Sequence, residues 1–140
     1  MCLTLDQIKA ILKKRERYGD GSYRTFIVQA YIERPLLYFK RKFDIRHYIM
    51  MSCVNGIIKG YWYKLGYVRT TSSEYTLSQN SGSIHLTNDA VQKNLPDYGR
   101  YEKGNKISYD ELSAYIDKYY SHKKKGFYNH IYPRMKVTVQ

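Results

Sequence analysis

The stretch KFDIRHYIMMSCVNGIIKGYWYKLGYVRT, residues 42–70, predicts the centre of the fold. Two runs rich in β-branched and aromatic residues, 42–54 and 57–70, flank the dipeptide formed by Asn55 and Gly56. Asn-Gly between two such runs is typical of a two-residue type I′ turn, so the stretch predicts a long antiparallel β-hairpin. Gly66 interrupts the second run, and a bulge or break is expected there.

Charged residues occupy every second position at the start of the first strand. Side chains alternate between the two faces of a strand, so Lys42, Asp44 and Arg46 are expected to share one face. Phe43 and Ile45 then lie on the other face and pack. From the pattern alone, a solvated face with cross-strand ion pairs is the favoured interpretation. The alternative is the floor of a site that binds phosphate and a charged substrate, since Lys and Arg both bind phosphate.

Two further polar segments are candidates for the same site. Arg69 ends the second strand and can meet the charged face across the hairpin, although an Arg at a strand end is ordinarily a surface residue. The segment HLTN, residues 85–88, precedes a brief predicted helix with Asn88 as its N-cap. Helix N-termini favour anions, but an ordinary cap is the preferred interpretation from the residues alone.

Helix signals lie at both ends of the chain. Thr4 and Gln7 have the spacing of a capping box and open an amphipathic helix that ends before Gly19. Ser108 and Glu111 form a second capping-box signature, which starts a helix of about a dozen residues. The tail, residues 127–140, begins one more helix.

The remaining segments are predicted from composition. RTFIVQAYI, residues 24–32, is rich in β-branched and aromatic residues and predicts a strand. Residues 70–83 are small and polar and predict a surface loop. These elements together predict an α+β fold with an antiparallel hairpin or sheet and flanking helices.

The composition limits the class of function. With 140 residues, 43% of them apolar, and a net charge of +12, the chain is the size of one domain and attracts polyanions. No run approaches the length of a membrane span, and the first residues are not expected to be a secretory signal, since they lack a long apolar stretch and a small-residue cleavage site. Cys2 and Cys53 are predicted to be reduced thiols, and no spacing of Cys or His predicts a metal site. Aromatic and basic residues interleave, but no RNA-recognition signature, zinc finger or P-loop is present.

Five pieces of the sequence, in order and at fitting intervals, resemble the tubulin tyrosine ligase-like family. The pieces are VQAYIERPLL (28–37), RKFDIRHYI (41–49), YWYKLGYVRT (61–70), HLTNDAVQKN (85–94) and YGRYEKGN (98–105). The resemblance implies a partial ATP-grasp fold, in which ATP lies between two antiparallel sheets. It also implies that ATP, with Mg²⁺, activates a carboxylate as an acyl phosphate that an amine then attacks. The family adds tyrosine, glutamate or glycine to acidic tubulin tails.

The resemblance assigns roles to particular residues. It places four residues of a hinge strand beside the adenine: Gln29, Ala30, Tyr31 and Ile32. Lys42 and Asp44 would face the nucleotide, and Arg46 and Arg69 would act catalytically on the phosphoryl group or the acceptor carboxylate. The nucleotide site would be completed by Thr87, Asn88 and His85. The charged strand is then better interpreted as the floor of a site.

The chain also departs from the family pattern. Ala30 stands where the family commonly has Lys. The upstream phosphate-binding lysine and the downstream magnesium ligands of the family have no counterpart in these residues, so no metal ligand is assigned. We therefore expect one incomplete ligase domain over residues 1–140, made of a helix and turn (1–22), the family core (23–105) and a helical tail (106–140), and inactive alone.

Two functions remain open from the sequence. The first is a ligase that uses ATP, a free amino acid and tubulin tails. The second is a non-catalytic basic module that binds acidic tubulin tails or microtubules. Both predict a location in the cytoplasm, on the cytoskeleton or in a cilium or axoneme, with neither nucleic acid nor membrane as a partner. The donated amino acid is left open.

Overall fold

The structure, a computed structural model, describes residues 4–123 and 125–138 and has an α+β architecture. The chain divides into two compact units, Met1–Arg34 and Pro35–Gln140. Cys2 lies outside the described residues, whereas Cys53 is a free, exposed thiol.

The first unit contains helix α1, Leu5–Lys13, as the capping signal predicted. The Thr4 hydroxyl accepts a hydrogen bond from the Gln7 backbone N–H at 3.3 Å. The strand predicted over residues 24–32 is wrong, and with it the strand conformation expected of residues 29–32. A strand requires a neighbour to complete its hydrogen-bond ladder, and among the described residues none pairs with this segment. Its apolar side chains stay exposed, Ile27 to 88%.

The second unit is built on a four-stranded antiparallel sheet in the order β1-β2-β3-β4. The strands are β1 Leu37–Tyr38, β2 Arg41–Val54, β3 Ile57–Glu74 and β4 Lys106–Ser108. Helices α2 Gly82–His85, α3 Asp89–Gln92, α4 Tyr109–Tyr119 and α5 Tyr132–Thr138 follow in chain order around it. Short 3₁₀ turns span Lys103–Asn105 and Ser121–Lys123, and a π-helical turn spans Phe127–Ile131. The predicted α+β fold class, a partial ATP-grasp arrangement, is confirmed.

The predicted hairpin is confirmed, and so is its turn. Val54 faces Ile57, and Asn55 and Gly56 have φ of 49° and 76°. Positive φ at both central residues defines a type I′ turn, whose twist matches that of the flanking strands.

Strand β3 is longer than β2 and bulges twice. Tyr48 of β2 lies opposite three residues of β3, 63–65, beside the predicted irregularity at Gly66. Lys42 lies opposite another three, 71–73. The loop predicted over residues 70–83 is therefore wrong for 70–74, which continue β3. Thr70, Thr71 and Ser72 are buried, and side chains from later in the chain supply hydrogen bonds to this segment.

The apolar core lies where α4 packs on β3 and β4. Its fully or nearly fully buried members are Val68, Ile107, Leu112, Ile116 and Phe127. Phe43 and Ile45, on the face of β2 predicted to pack, lie against this core. The capping box at the start of α4 is confirmed in both directions, with Glu111 N–H donating to the Ser108 hydroxyl at 3.1 Å and Ser108 N–H donating to the Glu111 carboxylate at 2.7 Å.

Tyr109 connects α4 to the middle of the hairpin. Its hydroxyl lies 3.2 Å from the Arg46 carbonyl oxygen and 2.9 Å from His47 Nδ1. The hydroxyl has one proton, which it donates to the carbonyl, so His47 Nδ1–H donates to the hydroxyl oxygen. The approach requires Gly66, where a Cβ atom would lie 2.1 Å from the Tyr109 hydroxyl oxygen and 2.4 Å from the Arg46 carbonyl oxygen.

We expect Gly66→Ala to destabilise the fold by about 1–3 kcal/mol, because the added methyl group overlaps Tyr109 and the backbone of β2. Urea unfolding followed by circular dichroism measures the change. Gly60→Ala in the same strand is the matched control, since its Cβ would meet nothing within 4 Å. Equal effects of the two substitutions would contradict the close approach at Gly66.

Partial burial lowers the pKa of His47, and Lys136 adds to the shift while a backbone contact with Tyr63 opposes it. The unfolded state then binds a proton near pH 6.5 that the folded state takes up only at lower pH. We expect the free energy of unfolding to fall as the pH is lowered through this interval. His47→Asn places an amide group opposite the Tyr109 hydroxyl and removes the titrating ring. The free energy of unfolding of this variant should therefore fall less between pH 7 and 5. Unfolding curves of both proteins at several pH values measure the difference, and parallel profiles would rule out His47 as the cause.

Candidate functional site

The charged face of the hairpin is built around an ion pair between its two strands. Asp44 of β2 lies directly opposite Arg69 of β3. Arg69 Nε donates to Asp44 Oδ1 at 3.0 Å, and Nη2 donates to Oδ2 at 2.7 Å. This two-bond geometry fixes the plane of the guanidinium group. The hydrogen bonds to Asp44 raise the pKa of Arg69, so its charge is retained at every physiological pH.

The segment that leads from α2 to α3 is attached to the same face. The Thr87 hydroxyl donates a short hydrogen bond to Asp44 Oδ2. Lys42 Nζ donates to the His85 carbonyl oxygen at 3.1 Å. His85 is itself buried, with Nε2 2.7 Å from the Gln79 carbonyl oxygen, which holds the preceding loop. Five of the residues that the sequence singled out therefore lie together.

Arg46 continues the row beyond Asp44. It is exposed, and its guanidinium carbon lies 5.7 Å from the centre of the Tyr48 ring, within the range of a cation–π contact. Three cations, from Lys42, Arg46 and Arg69, thus follow one face of the hairpin, with a single carboxylate between them.

The other predicted site residues are placed differently. Gln29, Ala30, Tyr31 and Ile32 belong to the first unit and are not part of a strand, and their predicted place beside an adenine stays a prediction. Asn88 occupies the N-cap of α3, as predicted, although its side chain makes no capping hydrogen bond there.

Sequence reasoning missed a buried ion pair next to the site. Arg41, only 3% exposed, donates from Nη1 to Glu102 Oε2 at 2.9 Å and makes a second, shorter bond from Nη2 to Oε1. Thr70 donates its hydroxyl to the same carboxylate at 2.9 Å. Arg41 also donates to the Thr71 carbonyl oxygen at 3.2 Å, and its guanidinium carbon lies 4.4 Å from the Tyr101 ring centre.

Two buried amides complete this network. Asn105 Nδ2 donates to the Thr70 carbonyl oxygen at 3.2 Å and to Ser72 Oγ at 2.9 Å. Gln92 Oε1 accepts from the Ser72 N–H at 2.8 Å, and Gln92 Nε2 donates to the Ser83 carbonyl oxygen at 3.2 Å. The signal was present in YGRYEKGN, which contains Glu102 and Asn105, but only the resemblance drew attention to it.

The arrangement suits the phosphate groups of a nucleotide better than it suits a metal ion. Lys offers a compact cation and Arg a planar set of donors, and both bind phosphate oxygens. Both oxygens of Asp44 accept hydrogen bonds from protein groups, so its carboxylate acts here as an acceptor that orients Arg69. Over residues 4–123 and 125–138, no group of three or more His, Cys, Asp and Glu side chains is arranged to hold a metal ion. No helix in the same residues is both long and apolar enough to cross a membrane.

Comparison with known proteins agrees with the geometry. The sequence profile of the tubulin-tyrosine ligase family matches residues 4–140. Tubulin glycylase 3B of Drosophila melanogaster is 38% identical over 102 residues, which are 70% of this chain and 14% of the relative. Protein polyglycylase TTLL10 of Macaca fascicularis is 36% identical over 91 residues, 65% of this chain and 14% of the relative.

A third relative comes from another branch. Probable tubulin polyglutamylase TTLL9 of Mus musculus is 34% identical over 103 residues, 72% of this chain and 22% of the relative. The chain thus spans less than a quarter of the length of each of these relatives. Because the family profile covers nearly every residue, the chain belongs to the tubulin-tyrosine ligase family.

Proposed function

We propose that this chain contributes the phosphate-binding face of an ATP-dependent ligase that adds amino acids to tubulin tails. The observation that carries the proposal is the Asp44–Arg69 pair, held by Thr87 and flanked by Lys42 on one face of the hairpin. The names of the relatives, tubulin glycylases and polyglutamylases, support the reaction class and the acceptor.

Each residue of the face has a role that follows from its contacts. ATP, when bound, supplies the phosphoryl group that activates a carboxylate. Lys42, whose ammonium group donates to the His85 carbonyl oxygen, would place a positive charge beside a bound triphosphate. Arg69 uses Nε and Nη2 on Asp44, so its remaining nitrogen, Nη1, would stabilise the developing negative charge if a phosphoryl group were bound there.

The remaining assignments follow from the proposed reaction. Arg46, exposed at the open end of the row, receives the acceptor carboxylate or the transferring phosphoryl group. Gln29, Ala30, Tyr31 and Ile32 contact the adenine largely through backbone atoms. Thr87 and Asn88 line the nucleotide site. The donated amino acid is glycine, glutamate or tyrosine, and the protein acts on the cytoskeleton or in a cilium.

Arg69→Ala is expected to weaken ATP binding by about tenfold or more, because one charge-assisted contact with phosphate is lost. Arg69→Lys keeps the charge but loses the two-bond contact with Asp44, so it should be intermediate. Titration of a fluorescent ATP analogue, with circular dichroism to verify folding, measures both variants. Arg100→Ala removes an exposed Arg paired with Asp97 and is the matched control. Equal ATP affinity in the Arg69 and Arg100 variants would refute the assignment.

A non-catalytic module that binds acidic tubulin tails is the second candidate, favoured by the net charge of +12. We expect the chain to co-sediment with microtubules, less so as salt rises and less so with tail-truncated tubulin. ATP, Mg²⁺ and a labelled amino acid, added to the same samples, distinguish the candidates. ATP binding that Arg69→Ala weakens, or incorporation of label that Arg46→Ala abolishes, supports the ligase, whereas tail binding with neither supports the module. Equal co-sedimentation with intact and with tail-truncated tubulin would contradict both candidates.

A further inference from the structure

A groove of about 420 Å³ lies on the outer part of the hairpin, beside α5. The lining of this distal groove includes Ile49, Met51, Gly60, Trp62 and Lys136, together with Met50 and Tyr61. Ile49 faces Trp62 and Met51 faces Gly60 across the strands. Because faces alternate along β2, these positions lie on the face opposite Asp44 and Arg46. The groove is therefore separate from the phosphate-binding face.

The floor of the distal groove is fixed by protein contacts. The Trp62 ring stacks on His47 with ring centres 3.6 Å apart. Trp62 Nε1 donates to the Tyr132 hydroxyl at 2.9 Å, and that hydroxyl donates to the Lys64 carbonyl oxygen at 3.2 Å. The space above Gly60 is open, since a Cβ atom there would meet nothing within 4 Å. The groove is thus pre-formed, a feature of ligand sites that bind without rearrangement.

The walls of the groove are apolar and exposed. Ile49 is 49% exposed and Met51 is 70% exposed. Clustered apolar side chains on a solvent-facing surface mark a place where another surface packs. The outer edge of β2 beyond Lys42 also has no neighbouring strand among the described residues, so an extended peptide can hydrogen-bond along it.

Charge selects among the possible occupants. Lys136 lines the groove, with its ammonium group 6.0 Å from the Trp62 ring centre and 5.1 Å from that of Tyr132. A second copy of this chain would itself carry a net charge of +12, and repulsion between the two like-charged chains opposes their association. An acidic polypeptide that also carries an apolar side chain can pack that side chain against the walls of the groove and pair a carboxylate with Lys136.

We propose that the distal groove binds an apolar side chain of an acidic polypeptide, while Lys136 contacts a neighbouring carboxylate of the same polypeptide. Taking that polypeptide to be the tail of the tubulin acceptor rests on the proposed function. The groove is then a second contact for the acceptor, on the other face of the hairpin from the reaction.

Trp62 makes the test direct, because it is the only tryptophan in the sequence and forms the groove floor. Its fluorescence is titrated with a short peptide of Glu and Gly that contains one leucine, and with the same peptide in which glycine replaces the leucine. We expect a saturable change with the first peptide and about tenfold weaker binding of the second, because one apolar side chain is buried. Equal affinity for both peptides would overturn the proposal.

Two variants locate the binding. Gly60→Leu fills the groove and should reduce affinity for the leucine peptide to that of the leucine-free peptide. Lys136→Gln should weaken both peptides alike, since it removes the contact with a carboxylate. Lys59→Gln, opposite Ser52 on the other face, is the matched control with the same loss of charge. Unchanged affinity in both groove variants would overturn the proposal, and Lys136→Gln preserves that test if Gly60→Leu fails to fold.

The same samples separate this proposal from the proposed function. ATP affinity should be unchanged in Gly60→Leu. Leucine-dependent peptide binding in a chain that does not bind ATP would support the groove and refute the phosphate-binding face.

A Trp62 signal that depends on protein concentration alone would instead assign the groove to a second copy. A signal equal for the peptide and for neutral lipid vesicles would assign it to a membrane, and either result would overturn the proposal.

Discussion

The register between β2 and β3 is the constraint on which the whole site depends. A shift by one residue would move every side chain of a strand to the other face, and Asp44 would no longer meet Arg69. The type I′ turn fixes the register at one end of the hairpin. In the middle, Gly66 admits the Tyr109 hydroxyl to the backbone of β2, and the three residues opposite Tyr48 are accommodated as a bulge beside that contact.

At the other end, buried polar groups hold the register. Residues 71–73 bulge opposite Lys42, and Arg41, Asn105 and Gln92 supply hydrogen bonds to the strand there. Burying an ion pair such as Arg41–Glu102 carries a desolvation cost that can exceed the attraction, so its contribution here is to specify one register. Removing one partner would leave a buried charge unpaired. The second bulge is thus defined by contacts that only one register can satisfy, and it lies opposite Lys42, two residues before Asp44.

The sequence predicted the parts of the site that depend on local chemistry. Asn-Gly, the alternating charges of Lys42 and Asp44, and the Ser108 capping box each act over a few residues. The turn between β1 and β2 escaped prediction because Phe39 and Lys40 both adopt positive φ, 44° and 61°, without glycine or asparagine to signal it. Residues 70–74 looked like a loop because burial of small polar residues depends on amides placed far along the chain. Residues 24–32 have strand composition, but composition does not supply a neighbouring strand.

The two faces of the hairpin have different chemistry, and the distance between them limits how a single polypeptide could contact both. Arg46 and Met51 are five residues apart on β2, which corresponds to roughly 17 Å along an extended strand. They project from opposite faces, so a polypeptide in contact with both must pass around an edge of the hairpin. The outer edge of β2 has no neighbouring strand there among the described residues, whereas near Arg69 the edge of β3 is paired with β4. A flexible acidic tail of on the order of ten residues spans such a path, whereas a folded domain would have to bend sharply to follow it.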